Sequence, residues 1–112
     1  MAVYVSNIVI EQGYDFDTTF IMEDTSTTNF LNLTGYSVES QLRKTYNSST
    51  AVSFASTITV PLRGMVQISL GHTETSALKE GRYVYDVKAT DTRGSILKLV
   101  EGVVLVRPGV TR

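Results

Sequence analysis

Residues 78–106 alternate apolar and polar side chains on either side of a short turn, which leaves the chain few ways to fold. Gly81-Arg82-Tyr83-Val84-Tyr85-Asp86-Val87-Lys88-Ala89 reads as one strand, and Ile96-Leu97-Lys98-Leu99-Val100-Glu101-Gly102-Val103-Val104-Leu105-Val106 reads as the next. The four-residue turn Asp91-Thr92-Arg93-Gly94 joins them as a β-hairpin. Tyr83 and Tyr85 share the face opposite Asp86, so both rings are expected to enter a core with their hydroxyls satisfied at its rim.

The same period of two runs through most of the chain. Tyr4–Glu11 is a first strand, closed by Gln12-Gly13. In Tyr14–Glu23 the side chains of Tyr14, Phe16, Phe20 and Met22 fall on one face and Asp15, Asp17 and Thr19 on the other, a strand with one wet face. Asp24–Asn32 is a polar loop whose Phe30 and Leu31 fold back over an edge. Tyr36–Lys44 puts Tyr36, Val38 and Leu42 inward. Val52, Phe54, Ile58 and Val60 mark a fourth strand that Pro61 ends, and Met65–Leu70 a fifth. Between Gly71 and Gly81 the period changes: Thr73–Glu80, with Thr73 as its cap and a glycine after its end, predicts one or two helical turns crossing between sheets. The fold class is therefore all-β: an antiparallel, Ig-like β-sandwich of about seven strands with one short helix, forming a single domain over 1–112.

Two features of the last strand stand out. Gly102 interrupts a strand pattern, which signals a bulge or a close backbone approach. Leu97, Leu99, Val103 and Leu105 lie on one face and Ile96, Val100, Val104 and Val106 on the other, so both faces are apolar. Either the strand is covered on both sides within the domain, or one face meets another subunit.

Composition narrows the function classes. The 112 residues carry a net charge of −1, which argues against a nucleic-acid partner held by phosphate contacts. There is no cysteine, so neither disulfides nor thiolate metal sites arise. No apolar run reaches the length of a membrane span and Met1-Ala2-Val3-Tyr4 lacks a basic leader, so the expectation is no membrane association. The charges are segregated: residues 1–35 hold acids and no Lys or Arg, a pattern that suits either solvated faces or copies meeting head to tail.

The residues offer little chemistry. His72 is the only histidine and reads as a helix-start residue rather than a catalytic base. Asp15 and Asp17 read as a solvated acidic face, since calcium-loop spacing is missing. The glycines are isolated rather than grouped in a phosphate loop. No nucleophile, base and orienting group assemble, so the expectation is no enzyme, no cofactor and no metal.

Several motifs together resemble a family of small, Ig-like bacteriophage virion proteins. They are Glu11-Gln12-Gly13-Tyr14-Asp15-Phe16 with Phe20, then Leu33-Thr34-Gly35-Tyr36-Ser37-Val38 with Gln41-Leu42-Arg43. Next come Thr75 and Ala77-Leu78 before Gly81-Arg82-Tyr83-Val84-Tyr85-Asp86, and last Glu101-Gly102-Val103-Val104 and Pro108-Gly109-Val110-Thr111-Arg112. The Leu-Thr-Gly-Tyr element is also similar to the N-terminal domains of phage baseplate proteins. Residues 46–63 fit the pattern least well. The resemblance implies a non-enzymatic structural component of a tailed-phage virion, assembled in the host cytoplasm in several copies or as a homo-oligomer. It would bind other virion proteins at the tail or baseplate, or alternatively decorate the capsid. The segments expected to reach neighbours are 2–10 and 107–112, through Val3, Tyr4, Val5, Ile8, Arg107, Val110 and Arg112. A carbohydrate-binding module that stacks sugars on Tyr4, Tyr14, Tyr36 or Tyr46 is the alternative from another class.

Overall fold

The computed structural model describes residues 3–23 and 30–111. The chain is an all-β sandwich of two sheets with one short helix. The strands are β1 (Tyr4–Val5), β2 (Ile8–Glu11), β3 (Phe16–Ile21), β4 (Ser37–Arg43), β5 (Val52–Ser53), β6 (Ala55–Val60), β7 (Met65–Leu70), β8 (Gly81–Thr90) and β9 (Ile96–Arg107). A 3-10 turn, Pro61–Arg63, precedes β7, and α1 (His72–Ala77) carries the chain from β7 in one sheet to β8 in the other. The first sheet runs β1-β9-β8-β4-β5, with β2 also on β9, and the second runs β3-β7-β6. The orders β4-β8-β9 and β3-β7-β6 match the C-F-G and B-E-D strands of the Ig sandwich, with the first strand lying on β9 instead of beside β3. Tyr83 adds a further hallmark. Near the start of β8, its hydroxyl donates to the Lys79 carbonyl at 2.7 Å, four residues upstream, which is the tyrosine corner of that fold.

The core is one cluster fed by both sheets: Phe20, Val66, Ile68 and Leu70 on one side, and Leu42, Tyr85, Val87, Leu99, Val100, Val104 and Val106 on the other. Phe54 lies between them, its ring 6.1 Å from Phe16 and 6.2 Å from Tyr85. The Leu33-Thr34-Gly35-Tyr36 element is a tight turn: Tyr36 N–H donates to Leu33 O at 3.0 Å and Gly35 takes φ +81°, a left-handed conformation that suits glycine. α1 is tied to the turn between β2 and β3. Thr75 Oγ1 donates to Tyr14 O at 2.9 Å and accepts from Gly13 N–H at 3.1 Å, while Gln12 Nε2 donates to Leu78 O at 2.6 Å.

Several expectations are corrected. There are nine described strands rather than about seven, because two predicted strands each divide. The fourth divides at Phe54, whose N–H donates to Ser40 O in the first sheet at 2.9 Å while the chain beyond it pairs with β7. The first divides at Ser6-Asn7. Its two pieces are parallel to β9, in one register on either side of the break: Tyr4 opposite Val100 and Ile8 opposite Val104. The sandwich is thus antiparallel except at this edge. The helix is capped by Gly71, not Thr73, and ends at an extended Leu78 that leads into β8. Tyr14 lies before β3 and is exposed. Of the predicted loop over Asp24–Asn32, residues 24–29 lie outside the described residues. Leu31 packs against the core and Phe30 is exposed, with the Arg63 guanidinium 5.8 Å from its ring.

The two apolar faces of β9 have a local explanation. The β8–β9 register shifts between Val87 and Lys88, so that Leu99 is an extra residue in β9 and both Leu99 and Val100 are fully buried. Before this bulge Leu97 and Leu99 face the core, and after it Val100, Val104 and Val106 do. One unpaired residue swaps the faces, so most of the apolar side chains are covered within the domain. The bulge is at Leu99. Gly102 instead serves a close approach: a Cβ there would lie 2.1 Å from Ser6 O.

Candidate protein-docking surface

The N-terminal strands and β9 together build an edge and an outer face that the fold leaves uncovered. The break at Ser6-Asn7 organises this edge. Opposite Gly102 the chain dips toward the sandwich interior, and Ser6 O accepts a 2.5 Å hydrogen bond from the Tyr85 hydroxyl while Ser6 N–H donates to Glu101 O at 3.0 Å. Asn7 Oδ1 accepts from Val103 N–H at 3.0 Å, so a side chain fills the place of the interrupted ladder. Strand pairing resumes with Ile8.

Parity then decides what faces outward. Ile8 and Ile10 pair with Val104 and Val106 and turn to the core, while Val9 pairs with Leu105 and turns out. Val9 is 47% exposed and Leu105 39%. Val103 and Val84, opposite one another on β9 and β8, are half-buried on the same outer face. Charged pairs border this apolar strip. At one end Arg107 Nη2 donates to Glu11 Oε1 at 2.5 Å. At the other, Lys98 Nζ lies 3.3 Å from Glu101 Oε1 and 3.7 Å from Asp86 Oδ2, and the hydrogen bond to Glu101 raises the ammonium above its ordinary range. An apolar centre with a charged rim is the anatomy of a protein-binding patch.

Of the residues singled out in the sequence, Val3, Tyr4 and Val5 lie at this edge, and Val5 is 65% exposed opposite Glu101. Tyr4 is more than half exposed, with its ring edge-on to Phe20 at 6.3 Å. Ile8 packs against the core and is not presented to a neighbour. Arg107 sits in the charged rim. Val110 is 93% exposed, just beyond Gly109, which is buried against the Gln12 carbonyl and the Tyr14 ring. Arg112 lies outside the described residues. Sequence reading missed Val9 and Leu105, although the three successive apolar residues Ile8-Val9-Ile10 carry the signal: in a strand one of them must face out.

A second feature is a shallow groove on the same sheet, lined by Gln41, Arg43, Tyr46, Asp86, Lys98 and Glu101. Tyr46 stands at its side, 79% exposed. Arg43 is held there by Nη1 donating to Ser48 O at 2.7 Å and Nη2 to Gln41 Oε1 at 3.1 Å. His72 begins α1, and Asp15 Oδ1 accepts from its backbone N–H at 2.7 Å and lies 2.9 Å from its Nδ1. The hydrogen bond to the His72 side chain holds the Asp15 carboxyl below its ordinary range. Among the described residues no three His, Cys, Asp or Glu side chains group as metal ligands, and no helix is long and apolar enough to cross a membrane.

The buried Tyr85 hydroxyl gives this edge a pH response. Burial pushes its ionisation from 10.0 up to about 12. A raised value in the folded state means stability is fully present below pH 10.0 and falls as pH rises towards about 12, because the unfolded chain releases this proton first. Tyr85→Phe is expected to lack that alkaline fall and to cost about 1 kcal/mol at neutral pH for the bond to Ser6 O. Urea denaturation between neutral pH and pH 12 checks both.

No protein-family model matches the chain, and no curated protein sequence matches it. Among solved structures it is similar to an internalin-like protein of Listeria monocytogenes, with a TM-score of 0.49 and 18% identity. That alignment covers 94% of this chain and 28% of the Listeria protein.

Proposed function

We propose that this chain is a non-enzymatic structural component of a tailed-phage virion, binding other virion proteins at the tail or baseplate through the outer face of its N-terminal edge. The observation that carries a docking role is the apolar strip of Val9, Leu105, Val103 and Val84 with charged pairs at both ends. The virion assignment rests on the order of the sequence motifs, from Gln12-Gly13 to Pro108-Gly109-Val110-Thr111-Arg112. Capsid decoration uses the same face and differs only in the neighbour.

Val9→Lys combined with Leu105→Glu tests the strip, since both side chains point outward, the two new charges are of opposite sign across β2 and β9, and the core is untouched. Incorporation into particles is expected to fall at least about tenfold, the loss of on the order of 1.4 kcal/mol or more of docking energy. Leu62→Asp, on the exposed 3-10 turn, is the control and is expected to incorporate normally. Equal incorporation of the double variant contradicts the proposal.

A second reading has one observation in its favour. Of the four tyrosines considered as sugar platforms, Tyr46 presents an exposed ring beside a groove of charged and amide side chains. A glycan array with the wild type and Tyr46→Ala tests it: a sugar bound by the first and lost by the second establishes a carbohydrate-binding module.

A further inference from the structure

The second sheet holds an edge of a different kind. Among the described residues β3 pairs with β7 alone, and its ladder is regular from Phe16 opposite Leu70 to Ile21 opposite Met65. Met22 continues that register, its N–H donating to Gly64 O at 2.8 Å. In an antiparallel ladder, residues bonded to the neighbour alternate with residues whose groups point away. Phe16, Thr18 and Phe20 therefore bond β7, and Asp17, Thr19 and Ile21 aim their N–H and C=O groups out of the sheet. Among the described residues none of these groups has a backbone partner.

Among the described residues every other open edge is blunted. β5 has two residues, β6 shifts register between Ile58 and Val60, and the β1–β2 edge breaks at Ser6-Asn7. Short strands, bulges, breaks and charged side chains are how sheets avoid pairing with other chains, and of these β3 has only the charges, which bar an acidic or like strand and leave a basic one free to pair. The side chains on its outer row identify the occupant. Asp17, Thr19 and Ile21 of β3 and the flanking Asp15 and Glu23 are exposed; Asp15 is already held by His72, and β3 contains no Lys or Arg. Two copies pairing antiparallel about Thr19 would set Asp15 of each against Glu23 of the other, a like-charge pairing that destabilises. None of the chain's other open edges (β1, β2, β5 and β6) carries a Lys or Arg to answer these acids.

We infer that β3 is a strand-acceptor edge that takes an extended segment of a different protein bearing Lys or Arg at alternate positions. Main-chain hydrogen bonds to Asp17, Thr19 and Ile21 supply the pairing, and the basic side chains lie over the acidic row. The inference does not depend on the virion reading or on the strip at β9.

The test uses the whole chain and a short blocked peptide alternating lysine and valine, followed by amide NMR. Binding is expected to slow hydrogen exchange at Asp17, Thr19 and Ile21 by roughly tenfold at saturation. A peptide with glutamate in place of lysine is expected not to bind. Thr19→Pro removes an N–H that serves no bond in the chain's own ladder, and is expected to weaken the lysine peptide at least about fivefold. The exchange measurement on the unaltered protein stands whether or not that variant folds. The inference is overturned if a lysine peptide with a central proline binds equally, which would reduce the effect to charge attraction. It is also overturned if the perturbed amides lie elsewhere, or if the three amides become protected without peptide at high protein concentration, the mark of self-pairing.

Discussion

Gly102→Val is expected to strip the N-terminal strands from β9 while the rest of the sandwich stays folded. A Cβ at this position meets Ser6 O at 2.1 Å and Ser6 C at 2.8 Å, both backbone atoms that no rotamer change can clear. Ser6 is pinned there from two other sides, by the Tyr85 hydroxyl and by Glu101 O, so the inward dip of the chain has no alternative seat. Forcing it out breaks those bonds, displaces Asn7 from Val103 N–H, and exposes Ile10, which is fully buried. The expected loss is on the order of 3 kcal/mol, with a fall in Tm of roughly 10 °C. The β8–β9 and β4–β8 ladders do not involve Ser6, so their amides should stay protected while those of Ile8–Glu11 exchange freely. The docking proposed for Val9 should vanish with them. Native-state hydrogen exchange distinguishes this local release from a uniform loss of protection across all strands, which would show that the edge and the core unfold together.

The second large effect concerns the bulge. Leu99→Ala removes a fully buried side chain and is expected to cost about 3 kcal/mol, a large share of the stability of a domain this size. Deleting Leu99 altogether should cost nearly the same. Lys98 pairs with Lys88 and Val100 with Val87, so without Leu99 the ladder closes into regular register and Val100, Val104 and Val106 keep their inward face. If the deletion instead unfolds the protein while Leu99→Ala is tolerated, the extra residue is needed for the twist of the strand and not only for its packing. Urea midpoints of the two variants decide between these outcomes.

What could be read from the sequence divides along physical lines. The β8–β9 hairpin, the faces of β3 and β4, the stop at Pro61 and the helical crossing near Thr75 all follow from local periodicity and turn chemistry, and each stands in the structure. Periodicity reports which face a side chain takes, not which strand lies alongside. It therefore missed the parallel pairing of β1 and β2 with β9, and the change of sheet at Phe54. The bulge was misread for a related reason: Leu99-Val100 looks like two alternating faces when one unpaired residue has exchanged them. Ser6-Asn7 was invisible because an asparagine side chain replaces a ladder bond with a residue 96 positions away. At the candidate docking surface, Val3, Tyr4 and Val5 are legible as an N-terminal edge, whereas Val9 and Leu105 become visible only once β2 is seen in register with β9. The motifs behind the family resemblance have structural tasks here: Gly35 makes a turn, Tyr83 a tyrosine corner, and Gly102 the close approach to Ser6.

The measurement that bears most directly on the proposed role is a cryo-EM reconstruction of the intact phage particle, with the sandwich docked into head and tail density. The expected result is density at the tail or baseplate, with Val9, Leu105 and Val103 buried against a neighbouring protein. Density over the capsid surface would move the protein to the head. Its absence from the particle, or its presence with that strip facing solvent, would contradict the docking role.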